Sequence, residues 1–218
     1  MAGSKKIQVA YVTSSQYKEE ENRVFMDVCA LADGTPVKEV FEFTIRRVPI
    51  PEMLEVDIAV MVQAEVVEAY GQIRIPCIVE HAGLIFEDYR NLSYPGGLTK
   101  PMWNTLGDKF IAETNSANRR VIARAVVAYC DGQHVKTFIG ETKGVIADQP
   151  RGQRQFYWDT VFVPDEPSGG PGNMTYAQIV ADPKLGLSYK MKELSQSAKA
   201  LLKFLEYRRI SAPGSLWQ

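Results

Sequence analysis

Little in this chain can do redox or covalent chemistry. Its 218 residues include three cysteines and two histidines. Cys29, Cys77 and Cys130 are an odd number, far apart, each inside an apolar stretch, which reads as buried free thiols. A thiol nucleophile needs a nearby base, and no motif ties His81 or His134 to a cysteine. Long apolar runs are missing too: none approaches the roughly 20 residues that span a bilayer. The start, Met1 to Lys6, leads into a strand-like segment rather than a signal-peptide core, so a cytoplasmic address and no membrane partner are expected. Excess charge is also absent. With 25 basic against 26 acidic residues, no global field holds nucleic acid or a membrane surface, and partners should be small or local. The chain has no Gly-rich P-loop ending in Lys-Ser/Thr, no Cys-x-x-Cys, no His-Glu-x-x-His and no Gly-x-Ser-x-Gly. Any chemistry must come from scattered residues.

What is present is strand and helix in alternation. Ile7 to Val12 is a short, β-branched apolar run fit for a buried strand. Thr13-Ser14-Ser15-Gln16 supplies hydroxyls at the turn into a helix from about Tyr17 to Leu31, with Val24, Phe25, Val28 and Leu31 on one face. Asp33-Gly34-Thr35-Pro36 stops that helix, and Val37 to Arg46 reads as a second strand. A rigid connector, Val48-Pro49-Ile50-Pro51-Glu52, precedes an amphipathic helix marked by Leu54, Ile58, Met61 and Val62 and running to about Tyr70. Ile75 to Val79 is then a buried strand ending in Glu80-His81, and charge at a strand end is where function collects in open α/β sheets. Leu92 to Leu98 is a loop, and a short helix starts near Lys100. Two long β-rich stretches, Val121 to Cys130 and Val135 to Ile146, flank Asp131-Gly132, a strong hairpin signal. Thr175-Tyr176-Ala177-Gln178 fits a capping box. The last helix carries Leu194, Ala198, Leu201, Leu202 and Leu205 as one stripe. The expectation is a single α/β domain over residues 1–218 with a mixed sheet and an inserted hairpin; residues 210–218 are a tail that docks on a partner or frays.

Four groups could carry chemistry. Thr13, Ser14 and Ser15, at a strand-to-helix turn, can offer hydroxyls and free N–H groups to a phosphate, with Lys18 as counter-charge; an ordinary Ser/Thr N-cap is the other reading. Glu52 and Glu80 are oxygen ligands of the kind a hard divalent cation takes, or else solvated surface glutamates. His81 can accept a proton from water, or it is a structural hydrogen-bonding histidine. Phe156, Tyr157 and Trp158 offer flat faces to a base and Asp159 can bind ribose or base hydrogens; a stretch half core and half surface is the alternative.

In order along the chain, these segments resemble the inosine triphosphate pyrophosphatase family. Val12-Thr13-Ser14-Ser15-Gln16-Tyr17-Lys18 is similar to its Thr-Gly-Asn-x-x-Lys, and Pro51-Glu52 to its Pro-Glu. Val79-Glu80-His81-Ala82-Gly83-Leu84 is similar to Val-Glu-Asp-Thr-Gly-Leu, and Phe156-Tyr157-Trp158-Asp159 to Phe-Gly-Trp-Asp. Weaker echoes are Tyr94 to Lys100 for Leu-Pro-Gly-x-x-x-Lys, Thr175 to Gln178 for Thr-Phe-Ala-Glu, and Ser195 to Leu201 for Ser-His-Arg-x-x-Ala-Leu. The resemblance implies an elongated mixed sheet flanked by helices with a central nucleotide-binding cleft. It also implies a cut between the α- and β-phosphates dependent on Mg2+, with Mn2+ the softer alternative, and a homodimer. Thr13, Ser14, Ser15 and Lys18 would hold the triphosphate, Glu52 and Glu80 the metal, and Glu80, His81 and Lys18 would serve catalysis. Phe156, Tyr157, Trp158, Asp159, Lys192, Ser195 and Gln196 would line the base end, with Lys100 facing the cleft.

The chain departs from this pattern at several places. His81 stands where the family has an acid, and neutral imidazole is a poor Mg2+ ligand. Gln196-Ser197 replaces the His-Arg pair that reads the oxo-purine edge; Gln both donates and accepts where Arg only donates, so the preferred base should change. The lysine expected four residues before Ser195 is Met191, with Lys190 and Lys192 beside it, and Tyr157 replaces a glycine. The expectation is a divergent nucleoside triphosphate pyrophosphatase. The alternatives are a non-hydrolytic nucleotide- or partner-binding protein on the same fold, and an enzyme for another phosphorylated, nucleotide-like substrate.

Overall fold

A computed structural model describes residues 6–114, 119–153 and 157–211; Phe156 and the tail beyond residue 211 lie outside the described residues. Among these, seven strands form one sheet in the order β2 (Phe41–Arg46), β1 (Ile7–Val12), β3 (Cys77–Phe86), β5 (Arg120–Cys130), β6 (Val135–Ile146) and β7 (Phe162–Pro164), with β4 (Pro95–Gly96) paired to β3. β1 runs parallel to both β2 and β3, and the other pairings are antiparallel. The sheet is mixed, as the sequence pattern predicts.

Two helical layers cover it. Alternation in the central strands sorts their side chains: Ile78, Ala125, Val127 and Tyr129 pack with Phe25 of α1 (Gln16–Val28) and with Leu201, Phe204 and Leu205 of α7 (Gln196–Ile210). The residues between them, Cys77, Val79, Val126, Ala128 and Cys130, meet Met61, Val62, Val66 and Ala69 of α3 (Ile58–Ile73). Because both faces are buried, residues 77–79 of β3 and 125–130 of β5 read as continuous apolar runs. A third cluster, with Trp103, Phe110, Trp158, Phe162 and Tyr176, closes the far end. The three cysteines are free and buried, and burial pushes the Cys29 thiol up to about 11 and the Cys77 thiol up to about 12. No helix of the described residues is long and apolar enough to cross a membrane.

Several element boundaries differ from expectation, each for a local reason. The first helix stops at Val28 because Cys29 to Leu31 leave it to bond back across the turn, Leu31 N–H to Thr35 O at 2.9 Å and Val37 N–H to Cys29 O at 3.1 Å. Val37–Val40 is a single helical turn, α2, before β2 begins. The helix expected from Leu54 starts only at Ile58, where Asp57 accepts the Ala59 N–H at 2.8 Å, and it runs on to Ile73, with Arg74 closing it in the left-handed region. β3 does not end at Glu80-His81; it continues to Phe86, so both residues sit in mid-strand.

The hairpin and the capping box form as the sequence signals. Asp131 Oδ1 accepts the N–H groups of Gln133 and His134, and Gly132 takes φ +91°. Thr175 and Gln178 cap each other at the start of α5 (Tyr176–Ala181). Helix α7 touches the sheet backbone to backbone at Gly140, where a Cβ would lie 2.0 Å from Gln196 O and 2.5 Å from Ala200 N. Gly140→Ala should therefore push α7 off β6 and destabilise the fold by about 1–3 kcal/mol or more; an unchanged denaturant midpoint would show the contact to be looser than described.

Candidate active site

The carboxyl end of β1 and the start of α1 open onto a cleft of about 390 Å³. Its lining brings together Thr13, Ser14, Ser15, Lys18, Glu52, Glu80, His81, Lys100, Tyr157 and Trp158, residues spread over most of the sequence. This is the crevice position at which parallel strands bind ligands. Ser15 is the N-cap: its Oγ accepts the Lys18 N–H at 3.4 Å, and its own N–H donates to Thr13 Oγ1 at 3.1 Å. The cap leaves the Gln16 and Tyr17 amides without a partner among the described residues, so the positive end of α1 still faces the cleft. The Lys18 ammonium reaches across to the Glu80 carbonyl. Opposite, Lys100 holds both oxygens of Glu52, at 2.6 and 2.8 Å, with its ammonium 5.7 Å from the Tyr157 ring centre. Burial raises the Glu52 pKa, but the bond to Lys100 and then the charges of Lys100, His81 and Lys18 outweigh it and hold the carboxyl below its usual range.

In mid-strand, alternation sends Glu80 and His81 to opposite faces of β3. The Glu80 carboxylate faces α7: Oε2 accepts the Tyr11 hydroxyl at 2.6 Å and Oε1 the Ser197 hydroxyl at 2.7 Å, and the residue is 5% exposed. Burial, then the charge of Glu80 it donates to, push the Tyr11 phenol well above its usual value. His81 faces α3, where its Nδ1 lies 3.2 Å from Glu65 Oε2. Charged residues can interrupt a buried strand because each finds a partner on the layer that covers it.

A Mg2+ ion asks for oxygen ligands. Among the described residues no three His, Cys, Asp or Glu side chains are grouped to cage a metal, and each Glu80 oxygen accepts one hydrogen bond from a hydroxyl. Glu52 fits a looser arrangement: Mg2+ is commonly held by one or two carboxylates plus substrate phosphates, and in taking the ion Glu52 would release Lys100 to the phosphates.

The residues expected at the base end are largely occupied with one another. Trp158 is 1% exposed and packs edge-on against Phe162 and at a tilt on Tyr176, so its ring is mainly core, with only part of it at the cleft. Gln196 Oε1 accepts the Tyr176 hydroxyl at 3.1 Å, and Ser195 caps α7 by accepting the Ala198 N–H. Asp159 is buried, with Oδ2 3.1 Å from Lys190 Nζ and Oδ1 without a partner among the described residues. The expected Lys192 points outward, 64% exposed beside Glu193. Lys190 takes the inward place because the turn Lys190–Leu194 is a π-helix, closed by Ser195 N–H to Lys190 O at 2.8 Å. Such a turn holds one residue more than an α-turn, which restores a lysine to the spacing that position 191 breaks.

The model of the Ham1 family matches residues 9–207. The chain belongs to the Ham1 family. The curated dITP/XTP pyrophosphatase of Methanopyrus kandleri is 32% identical over 135 residues, spanning 61% of this chain and 66% of that protein. The inosine triphosphate pyrophosphatase of Kluyveromyces lactis is 29% identical over 206 residues, 93% of this chain and 96% of that protein. Among solved structures, the Staphylococcus aureus Ham1 protein superposes with TM-score 0.59 at 17% identity, covering 93% of this chain and all of that one, which shows the shared fold.

One residue of this Ham1-family cleft, Glu65, escaped the sequence reading. Glu65 could have been found as the one carboxylate on the apolar stripe of α3, a turn after Met61 and a turn before Ala69. Outside the cleft lining, the choice of Lys190 over Lys192 as the inward lysine was not readable, because a π-turn leaves no mark in hydrophobic spacing.

Proposed function

We propose that the chain is a nucleoside triphosphate pyrophosphatase that releases the monophosphate and pyrophosphate, with a base preference altered from inosine and xanthosine triphosphates. The observation that carries this reading is the convergence of the α1 N-terminus, Lys18, Lys100, Glu52 and His81 on one cleft in a Ham1-family chain. Two ammonium groups and the free amides of Gln16 and Tyr17 offset the charge of a triphosphate where it develops on the leaving group. Bound at Glu52 and the phosphates, a divalent cation would supply charge neutralisation. The attacking water meets the α-phosphorus in line, His81 accepts its proton, and the bond from the α-phosphorus to the bridging oxygen breaks toward pyrophosphate.

The altered preference is supported by the residues expected to meet the base. Gln196 stands bonded to Tyr176 and Asp159 to Lys190, so the groups that would read a purine edge are already engaged, and Tyr157 adds a ring beside Lys100. A panel of ribo-, deoxy- and modified nucleotides with Mg2+ or Mn2+, read by pyrophosphate release, tests this. The expected result is release from at least one triphosphate, with inosine and xanthosine triphosphates not the best. Binding without release across the panel would select the non-hydrolytic alternative.

A further inference from the structure

β3 carries a histidine where the resemblance places an acid, yet a carboxylate reaches the same part of the cleft from the neighbouring layer. Glu65, on α3, is 4% exposed, lines the cleft and sets Oε2 3.2 Å from His81 Nδ1. A carboxylate on the buried face of a helix is costly unless it is used. Its second oxygen, Oε1, is buried without a hydrogen-bond partner among the described residues. The other ring nitrogen, His81 Nε2, has no partner among the described residues either. The pair sits among the groups that could meet a phosphate chain: the same cleft is lined by Lys18, Glu52 and Lys100.

We propose that Glu65 is a positioning residue that fixes His81 with its proton on Nδ1, turning the bare Nε2 toward the cleft as acceptor for the attacking water. The proposal rests on the pyrophosphatase reading above. A carboxylate at one imidazole nitrogen decides which nitrogen carries the proton and holds the ring in place. It also stabilises the imidazolium that forms. In the step itself the water oxygen bonds to the α-phosphorus while its proton passes to Nε2. The bond to the bridging oxygen breaks, its electron pair leaves on pyrophosphate, and the new oxygen stays on the monophosphate. Acid and strand have exchanged places: the family's single acidic side chain is split here into an imidazole on β3 and a carboxylate on α3.

The chain has two histidines, so protein labelled with 15N-histidine gives two imidazoles, assigned with His134→Asn. Long-range 1H–15N spectra at mildly alkaline pH should show the His81 proton on Nδ1; a proton on Nε2 overturns the proposal whether or not any nucleotide is turned over. In kinetics, Glu65→Gln should lower kcat about tenfold or more with KM held within about twofold. Glu65→Asp should recover part of the loss, and Glu65→Gln with His81→Asn should be no slower than His81→Asn alone. A parental kcat in Glu65→Gln, or losses that multiply in the double variant, sinks the positioning role. Absence of turnover in the parent instead counts against the pyrophosphatase reading, and the tautomer result still decides the dyad.

Discussion

Lys190→Met is expected to lower the unfolding free energy by about 3–5 kcal/mol, the usual penalty for removing one partner of a buried ion cluster. The Lys190 ammonium lies 2.8 Å from Glu21 Oε1, 3.1 Å from Asp159 Oδ2 and 4.6 Å from the centre of the Tyr176 ring. Burial presses its pKa down, but the charges of Asp159 and Glu21 outweigh that and leave it raised, so the group is a cation at any working pH. Glu21 moves the other way in charge: burial raises its pKa more than the ammonium lowers it. One cation thus serves two carboxylates, and methionine, of similar length, keeps the packing while leaving both acids without a counter-charge. Lys192→Met is the control. Its side chain is 64% exposed, and the change should fall within about 0.5 kcal/mol. Urea melts of the two variants check the contrast; equal midpoints would mean that the cluster does not hold Lys190 inside.

Lys18→Ala should reduce kcat/KM for the best nucleotide by about 100- to 1000-fold and stability by no more than about 1 kcal/mol. The reason for the split lies in the partner. In the resting protein the Lys18 ammonium donates to one backbone carbonyl, that of Glu80, a bond worth little net once water is free to replace it. In the reaction the same ammonium faces the charge that gathers on the leaving pyrophosphate, in a cleft walled by Val12, Val79 and Trp158 where water screens it poorly. Pyrophosphate release at low nucleotide and a urea melt of the same variant separate the two effects. A variant that releases pyrophosphate at near the parental rate would remove Lys18 from the phosphate chain.

How much was legible in the sequence follows from the range of the forces involved. The strand Ile7–Val12, the hairpin at Asp131-Gly132 and the capping box at Thr175 form where the local pattern puts them, since turn chemistry and hydrophobic period act within a few residues. Charge at Glu80 signals a strand stop, yet β3 runs on to Phe86; the partners that make the charge tolerable, Tyr11, Ser197 and Glu65, are 69, 117 and 16 residues away along the chain. The choice between Lys190 and Lys192 has a local cause that is equally silent in the sequence. Nothing near position 190 announces that a π-turn brings Lys190 inward and leaves Lys192 outside.

By itself, then, the order of short motifs determined the family and the list of groups that could meet a phosphate chain, because each motif is local and its residue types are few. Only the tertiary structure decided which groups remain open to the cleft. Whether a carboxylate is free or spent depends on the layer packed over it: Glu80 is capped by two hydroxyls, Glu52 is held by Lys100, and Glu65 is turned onto His81. Those pairings join segments that chain spacing leaves far apart, and burial, which sets their strength, exists only once the sheet is covered on both sides.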